Sequence, residues 1–227
     1  MKRSRPVVAI DGPAGAGKST CAGRLANRLG YVLVDTGALY RGVALAAAEA
    51  GISFDDGPRL GELTRNLPLR FAPNADGPPK LMINDIDRSA DIRTPEISKG
   101  ASDVSKHAEV RDALLGLQRK LGEDGGVVLE GRDIGTVVFP DAEVKIFLTA
   151  SEKVRGERRW HELRARGVLA DRDQTVAEVA ARDLQDSQRP VAPLKPASDA
   201  IHVDTSEIDL EAAVSQMESI VRAKLAS

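Results

Sequence analysis

VVAIDGPAGAGKS, residues 7–19, is the stretch from which the fold of this chain is inferred. Its first four residues are apolar, which is typical of a strand buried on both faces of a sheet. Residues 12–19 fit the pattern G-x-x-x-x-G-K-[ST], and a helix-forming segment begins at Lys18. In that setting backbone N–H groups and the positive end of the helix surround an anion. The stretch therefore predicts a phosphate-binding loop between a strand and a helix.

Each residue type in this loop has a physical reason. Glycine lets the backbone approach a ligand closely, Lys18 reaches the β and γ phosphates, and the Ser19 hydroxyl is a ligand for Mg²⁺. A glycine-rich turn that binds nothing is the alternative interpretation. The apolar run before the loop and the helical segment after it favour the phosphate site.

Composition limits the class of protein. The 227 residues are enough for one large α/β domain or a domain with an insertion, and 42% hydrophobic residues supply its core. A net charge of -2 gives no overall basic field, so we expect no nucleic-acid partner. The three histidines are dispersed, and with one cysteine they give no metal-site spacing.

The N-terminus and the cysteine content bear on the compartment. The basic start, residues 2–5, is followed by only four apolar residues before the loop, so we expect neither a signal peptide nor a membrane span. Cys21 is the single cysteine and cannot form an intramolecular disulfide, which suits a buried structural thiol. We therefore expect a cytoplasmic protein without a membrane partner.

The rest of the chain alternates between apolar runs and helical patterns, which predicts a parallel sheet flanked by helices. The runs after the first one cover residues 31–34, 127–130, 144–148 and 200–203, which makes five strands. Helix starts are predicted at Thr36, at Thr94 with Pro95, at Ser151, and at Thr175, where Glu178 completes a capping box; residues 204–206 are predicted to open the last helix.

Residues 52–94 differ in character from the rest. Short strand patterns at 69–71, 80–83 and 86–88, with turn residues at 74–79, predict a small antiparallel insertion. We expect residues 1–51 and 95–227 to form the core domain and residues 52–94 to form a mobile lobe.

Polar side chains follow two of the predicted strands, at the sheet edge where α/β proteins bind ligands. Tyr40 and Arg41 come shortly after the second strand, and Arg132 and Asp133 directly after the third. Arg111 lies beside an apolar helical stripe. The alternatives are solvated surface arginines and an aspartate that only forms a turn.

Two further segments are rich in charge. Five arginines between residues 155 and 166 suggest a lid, at about 155–172, that closes over a triphosphate, although a basic surface helix is the alternative. Arg182, Asp186 and Arg189 have i, i+4 and i+7 spacing and share a helix face. Simple intrahelical ion pairs are the alternative for this second group.

Taken together, these motifs resemble bacterial cytidylate kinases. The resemblance rests on the loop, on DTGALYR at 35–41, on GRDIGTVVFPD at 131–141 and on R-D-x-x-D-x-x-R at 182–189. It runs from about residue 7 to the end of the chain and includes the insertion. It implies a P-loop NTPase fold with a monophosphate-binding insertion and a helical lid. The implied activity is Mg²⁺-assisted transfer of phosphate from ATP to CMP and dCMP, and we expect a monomer.

The resemblance also implies roles for single residues on the ATP side. ATP would be bound by Gly12, Pro13, Ala14, Gly15, Ala16, Gly17, Lys18, Ser19 and Thr20. Lys18, Arg155 and Arg159 would act on the moving phosphoryl group, and Ser19 would hold Mg²⁺. Glu130 replaces an aspartate found in other members, which leaves its part in organising Mg²⁺ open.

On the acceptor side, the phosphate of CMP would be held by Tyr40, Arg41, Arg132 and Arg189. The cytosine would contact Ser102, Arg111 and Asp133, and the ribose Arg182 and Asp186. Asp35 and Thr36 would support this site, although some members have serine at position 36.

Other activities remain open at this point. One is a P-loop kinase that acts on another nucleoside monophosphate or a small metabolite. A nucleotide-dependent switch is a second class, but the chain contains neither the Asn-Lys-x-Asp nor the Asp-x-x-Gly sequence of such GTPases.

Overall fold

The computed structural model describes residues 3–74 and 77–225, so Lys2 and the central Ala75 and Asp76 of the predicted turn lie outside the described residues. The strands are β1 (Val7–Asp11), β2 (Val32–Asp35), β3 (Leu69–Ala72), β4 (Lys80–Ile83), β5 (Ile86–Asp87), β6 (Val127–Gly131), β7 (Val144–Thr149) and β8 (Ile201–Asp204). The helices are α1 (Lys18–Leu29), α2 (Thr36–Glu49), α3 (Gly57–Asn66), α4 (Pro95–Val104), α5 (Ala108–Leu121), α6 (Glu152–Ala165), α7 (Arg172–Gln188) and α8 (Leu210–Leu225).

The predicted five-stranded parallel sheet flanked by helices is confirmed. Its strand order is β2-β6-β1-β7-β8. The central strand β1 pairs in parallel with β6, where Ile10 lies opposite Glu130, and with β7, where Ile10 lies opposite Ile146. All residues of β1 and β6 are buried, which explains why both are almost continuous apolar runs. The phosphate-loop sequence thus leaves the carboxyl end of the middle strand.

The chain forms two compact units. The first contains the described residues up to Val32 and from Asp124 onward, and the second contains Leu33–Glu123. The first unit includes β1, β6, β7, β8 and helices α1, α6, α7 and α8. The segment predicted as a lid, 155–172, consists of most of α6, the turn that follows and the first residue of α7, and a hydrogen bond from Trp160 Nε1 to Ala170 O fixes the turn.

The second unit has its own core and its own sheet. Strands β3, β4 and β5 form the predicted antiparallel sheet, with Leu69 opposite Ile83. Its fully buried side chains include Leu39, Leu60, Leu81, Ile92 and Leu114. This unit is larger than the segment 52–94 that the sequence assigns to an insertion, and that division into domains stays a prediction.

Three helix starts differ from those predicted. Asp35, not Thr36, caps α2, because its carboxylate accepts from Ala38 N. Asp171, not Thr175, caps α7, and the Thr175 hydroxyl donates to the Asp171 carbonyl inside the first turn. Asp209, not residues 204–206, accepts from Ala212 N where α8 begins.

The helix starts predicted at Thr94 and Ser151 are confirmed, because both side chains accept hydrogen bonds, from the N–H groups of Ile97 and Val154. Among the described residues, every helix is either too short or too polar to cross a lipid bilayer.

Candidate active site

The phosphate loop has the geometry that its sequence predicts. Gly12 has φ 154°, and a Cβ at this position would lie 1.9 Å from the carbonyl oxygen of Leu148. Only glycine therefore fits where the loop leaves β1 beside the end of β7. Lys18 begins α1, and its Nζ donates to the carbonyl of Pro13 over 2.7 Å, so the side chain folds back along the loop.

Lys18 is buried in a cationic environment. Burial, followed by the charge of Arg132, lowers the pKa of Lys18 to about 7, although Glu130 and Asp186 act in the opposite direction. Burial and the neighbouring arginine disfavour the charged form of Lys18, and an anion that approaches the ammonium group stabilises this form. The site around Lys18 therefore favours binding of a negatively charged group.

Asp11 joins the central strand to the loop after β6. Its two carboxylate oxygens accept hydrogen bonds from Ile134 N (2.8 Å) and Gly135 N (2.7 Å). Burial raises the pKa of Asp11 to about 6, and the two amide hydrogen bonds oppose this shift. The chain after β6 then makes a π-helical turn over Ile134–Val138, a rare form that often marks functional sites.

Arg132 and Asp186 form an ion pair in the first unit. Arg132 Nε donates to Asp186 Oδ2 over 2.9 Å, and the side chains are 19% and 4% exposed. Burial is the largest single influence on the pKa of Arg132 and lowers it, but Asp186, Glu130 and Asp183 together outweigh burial and the pKa is raised. For Asp186, burial is outweighed by Arg132, Arg182 and Arg189, so its pKa is lowered.

A second ion pair lies on the same two segments. Arg189, which caps the C-terminus of α7, pairs with Asp133 over 3.5 Å and donates from Nε to the carbonyl of Ala192. Both side chains are buried. The first unit thus brings together Lys18, Arg132, Asp133, Arg182, Asp186 and Arg189, which the sequence had placed in three separate motifs.

The two predicted lid arginines are already bound to protein groups. Arg155 is buried and donates to the carbonyls of Ala150 and Ala14, each over 2.9 Å, and it pairs with Asp183. Arg159 is half-buried and pairs with Glu162 three residues along the helix. The Arg159 pair lies nearer the surface and is weak, whereas the Arg155 pair is largely withdrawn from solvent.

In the second unit, Asp35 organises the start of α2. One carboxylate oxygen accepts from Ala38 N (3.1 Å) and the other from Arg41 Nη2 (2.6 Å). The Arg41 guanidinium is thereby held at the start of α2. Thr36, which follows Asp35 in the sequence, is also buried. The two residues predicted to support the acceptor site thus lie at the N-terminus of the helix that carries Tyr40 and Arg41.

Ser102, Arg111 and Tyr40 are also brought close to one another. The Arg111 guanidinium lies 5.5 Å from the centre of the Tyr40 ring and donates to the carbonyl of Ser105. Ser105 in turn donates from its hydroxyl to the carbonyl of Ser102. The buried Ser102 Oγ has no hydrogen-bond partner among the described residues. A buried hydroxyl without a partner is suited to a ligand, since desolvation leaves it in need of one.

The described side chains can be compared with the needs of Mg²⁺. Residues 3–74 and 77–225 contain no group of three or more His, Cys, Asp and Glu that could hold a metal ion. Mg²⁺ commonly binds through one or two protein oxygens, waters and substrate phosphates. The exposed Ser19 at the start of α1 and the buried Glu130, whose charge acts on Lys18, are oxygen donors of that kind. The residues present fit a magnesium ion that arrives with a polyphosphate.

Sequence comparison identifies the family. The profile described as cytidylate kinase matches residues 8–223. The chain belongs to the cytidylate kinase family. The resemblance found in the sequence is therefore confirmed over nearly the whole chain, and the chain is a kinase that binds nucleotides.

Two relatives illustrate how complete the similarity to this family is. A protein named cytidylate kinase from Syntrophotalea carbinolica is 53% identical over 215 residues, which cover 95% of this chain and 91% of the relative. Another protein with that name, from Geobacter sp. strain M21, is 52% identical over 226 residues and covers 100% and 97%. A crystal structure of an uncharacterized protein from Eubacterium ventriosum shares the fold, with a TM-score of 0.54 and 11% identity over 96% of this chain and 99% of that one.

Two functional candidates were not assigned from the sequence. Asp11 directly precedes the loop, and Asp183 lies inside the motif at 182–189, yet neither received a role. Their partners lie 123 and 169 residues away in the sequence. The one available signal was that each acid stands next to a residue with a predicted role.

Proposed function

We propose that this protein transfers the γ-phosphoryl group of ATP to the phosphate of CMP or dCMP and releases ADP with CDP or dCDP. In this reaction an oxygen of the monophosphate forms a bond to the γ phosphorus, and the bond from that phosphorus to the β–γ bridging oxygen breaks. The observation that carries the proposal is the cluster of Arg132, Arg182 and Arg189 around Asp186, in the same compact unit as Lys18, on which the charges of Arg132 and Arg182 also act. A protein that bound ATP alone would need only the anion site at the phosphate loop.

On the donor side, we propose that the loop amides and Lys18 bind the ATP phosphates. The lowered pKa of Lys18, caused by burial, supports this role because an incoming phosphate restores the charged form. Ser19 would hold Mg²⁺, which supplies charge neutralisation between the phosphates when it is bound. Arg159 can exchange its surface pair with Glu162 for the moving phosphoryl group.

On the acceptor side, we propose that Arg132 and Arg189 hold the monophosphate, as do Arg41 and Tyr40 of the second unit. No general base is needed, because the second pKa of a phosphate monoester is about 6 and the acceptor oxygen is already anionic near neutral pH. Phosphoryl transfer then depends on in-line positioning and on cations around the moving group. Arg182 and Asp186 are assigned to the ribose.

For the base, we propose that Asp133 accepts a hydrogen bond from the N4 amino group of cytosine. Uracil has a carbonyl at C4 and would face this carboxylate with like polarity. Arg111 and Ser102 are assigned to the acceptors N3 and O2, and the buried Ser102 hydroxyl supports that assignment because it lacks a partner in the described structure. CMP and dCMP are therefore preferred over UMP.

The remaining expectations stay part of the proposal. We infer a cytoplasmic monomer whose partners are ATP, CMP and dCMP, without nucleic acid or membrane. The net charge of -2 supports the absence of a nucleic-acid partner.

A coupled kinase assay with ATP, Mg²⁺ and a panel of acceptors tests the proposal. The panel contains CMP, dCMP, UMP, AMP, GMP and small hydroxyl metabolites. We expect CMP and dCMP to be turned over far better than the others. Lys18→Ala should abolish turnover, whereas Lys99→Ala, which removes a lysine with an 81% exposed side chain, should not change it. Comparable turnover of UMP, or a preferred acceptor outside the cytidine nucleotides, would contradict the proposal.

A further inference from the structure

Both backbone groups of one residue in the phosphate loop are bound by side chains from α6 and α7. Ala14 N donates to Asp183 Oδ1 over 3.0 Å, and Ala14 O accepts from Arg155 Nη1 over 2.9 Å. Arg155 and Asp183 also pair with each other. The three groups form a closed set in which the Ala14 backbone is held on its donor and its acceptor side at once.

The packing around the next residue fixes the same part of the loop. A Cβ at Gly15 would lie 2.6 Å from the carbonyl oxygen of Arg155, so the loop backbone runs directly against the backbone of α6. Arg155 is itself anchored to the end of β7 by its hydrogen bond from Nε to Ala150 O. The loop therefore rests on a rigid support that includes the side chain of Asp183.

The charges of the pair explain why an acid is tolerated so close to a phosphate site. An isolated carboxylate beside the loop would repel the ATP phosphates. The Arg155 guanidinium neutralises Asp183, and the pair as a whole offers the loop one acceptor and one donor without net charge. Both side chains are largely withdrawn from solvent, at 9% and 15% exposed, where such hydrogen bonds are strongest.

We propose that Asp183, together with Arg155, is a positioning residue for the phosphate loop: it holds the Ala14 backbone so that the following amides are preorganised for the ATP phosphates. Arg155 then acts on the loop backbone and not as a direct ligand of the triphosphate. Asp183 belongs to the donor side although it is adjacent to Arg182, which the proposed function assigns to the acceptor side. The inference rests on the proposed function, because it assigns Asp183 of α7 to ATP binding and leaves Arg182 of the same helix to CMP binding.

The test compares substitutions at neighbouring positions of α7. Asp183→Ala should raise the KM for ATP about tenfold, the usual effect of losing a hydrogen bond to a charged group, and leave the KM for CMP within about twofold. Asp183→Asn should recover part of the loss, because its amide oxygen still accepts from Ala14 N. Asp173→Ala, a carboxylate with a 94% exposed side chain on the same helix, should match the wild type.

A binding measurement separates this inference from the proposed function. Titration of each variant with a non-hydrolysable ATP analogue and Mg²⁺ should show the same tenfold loss for Asp183→Ala, without any acceptor present. If that variant does not fold, Asp183→Asn should show a smaller thermal shift with the analogue than the wild type does. Equal changes in the constants for ATP and CMP, or unchanged analogue affinity, would overturn the inference. A wild type that binds the analogue but does not phosphorylate CMP would overturn the proposed function instead.

Discussion

Arg132 Nε donates a hydrogen bond to Asp186 Oδ2 over 2.9 Å and so joins the loop after β6 to helix α7. Asp186 is almost completely buried, and its carboxylate is held in the charged form by three arginines, of which Arg132 is the foremost. Removal of one partner should therefore cost more stability than the loss of a surface salt bridge, because water cannot easily solvate the charge that remains.

Asp186→Ala should destabilise the protein by about 3 kcal/mol, since it leaves the largely buried charge of Arg132 without its carboxylate. The free energy of unfolding in urea measures this effect. Asp55→Ala is the matched control, because Asp55 pairs with Lys106 at the surface with an 82% exposed side chain, so its removal should hardly change the free energy of unfolding. An equal loss of unfolding free energy in the two variants would show that the buried pair matters no more for stability than a surface pair.

Asp11→Asn should change how stability depends on pH. The pKa of Asp11 is raised from 3.8 to about 6 in the folded protein, chiefly by burial. Between these values the folded state binds more protons than the unfolded state, so the contribution of Asp11 to stability falls as pH rises from about 4 to about 6. The unfolding free energy of the wild type minus that of the variant should therefore fall as pH rises over this range, by at most about 3 kcal/mol. A difference that is constant from pH 4 to 7 would contradict the raised pKa of Asp11.

Gly12→Ala should abolish binding of ATP, because its Cβ would lie 1.9 Å from the carbonyl of Leu148 and the loop would have to move. A loss of stability of about 2 kcal/mol is expected from this overlap. Gly116→Ala is the control: this glycine lies in α5 with nothing within 4 Å of its added Cβ, and the change should stabilise by roughly 0.5–1 kcal/mol. Calorimetry with an ATP analogue and urea unfolding give both readouts. Wild-type ATP affinity in Gly12→Ala would count against the loop geometry.

Arg182→Ala should raise the KM for CMP and leave the affinity for ATP nearly unchanged. The reason is its position on α7 near Asp186, whose pKa it helps to lower, in the cluster assigned to the acceptor. Arg222→Ala, on α8 with a 65% exposed side chain, controls for loss of an arginine. Steady-state kinetics with either substrate varied gives the answer. An equal rise in KM for ATP and for CMP would contradict the assignment of Arg182 to the acceptor.

Asp133→Asn should reduce the preference for CMP over UMP. An amide can donate to the C4 carbonyl of uracil, which a carboxylate cannot do, and kcat/KM for CMP should fall about tenfold with loss of the charged acceptor. The ratio of kcat/KM for the two nucleotides is the measurement, because general damage to the site cancels in it. An unchanged ratio would mean that residue 133 does not recognise the base.

Much of the fold could be predicted because its signals are local. The apolar runs of β1 and β6 and the loop pattern between β1 and α1 are contiguous in the sequence, and they gave the strands and the sheet type. The starts of α2, α7 and α8 were wrong by one to a few residues. At each of them two or more capping residues stand close together, and only the backbone geometry decides which side chain accepts the hydrogen bond.

The site was predictable only where a motif carries the function. Lys18, Arg132 and Asp133 were assigned to the candidate site from the residues around them, and their roles stay predictions. Asp11 and Asp183 act through backbone amides more than 100 positions away, and no local pattern encodes such a contact. The buried position of Arg155 was also missed, because a run of arginines in a helix, interpreted from the sequence as a lid, gives no information on which of them turns inward.

The central claim is that the phosphoryl group of ATP passes to a cytidine monophosphate. Phosphorus NMR of one mixture of enzyme, ATP, Mg²⁺ and CMP follows every phosphate at once. The account predicts that the resonances of CDP and ADP grow together in equal amounts, with no release of inorganic phosphate. Inorganic phosphate that forms at the same rate with and without CMP, and no CDP, would contradict it and favour a nucleotide-hydrolysing switch.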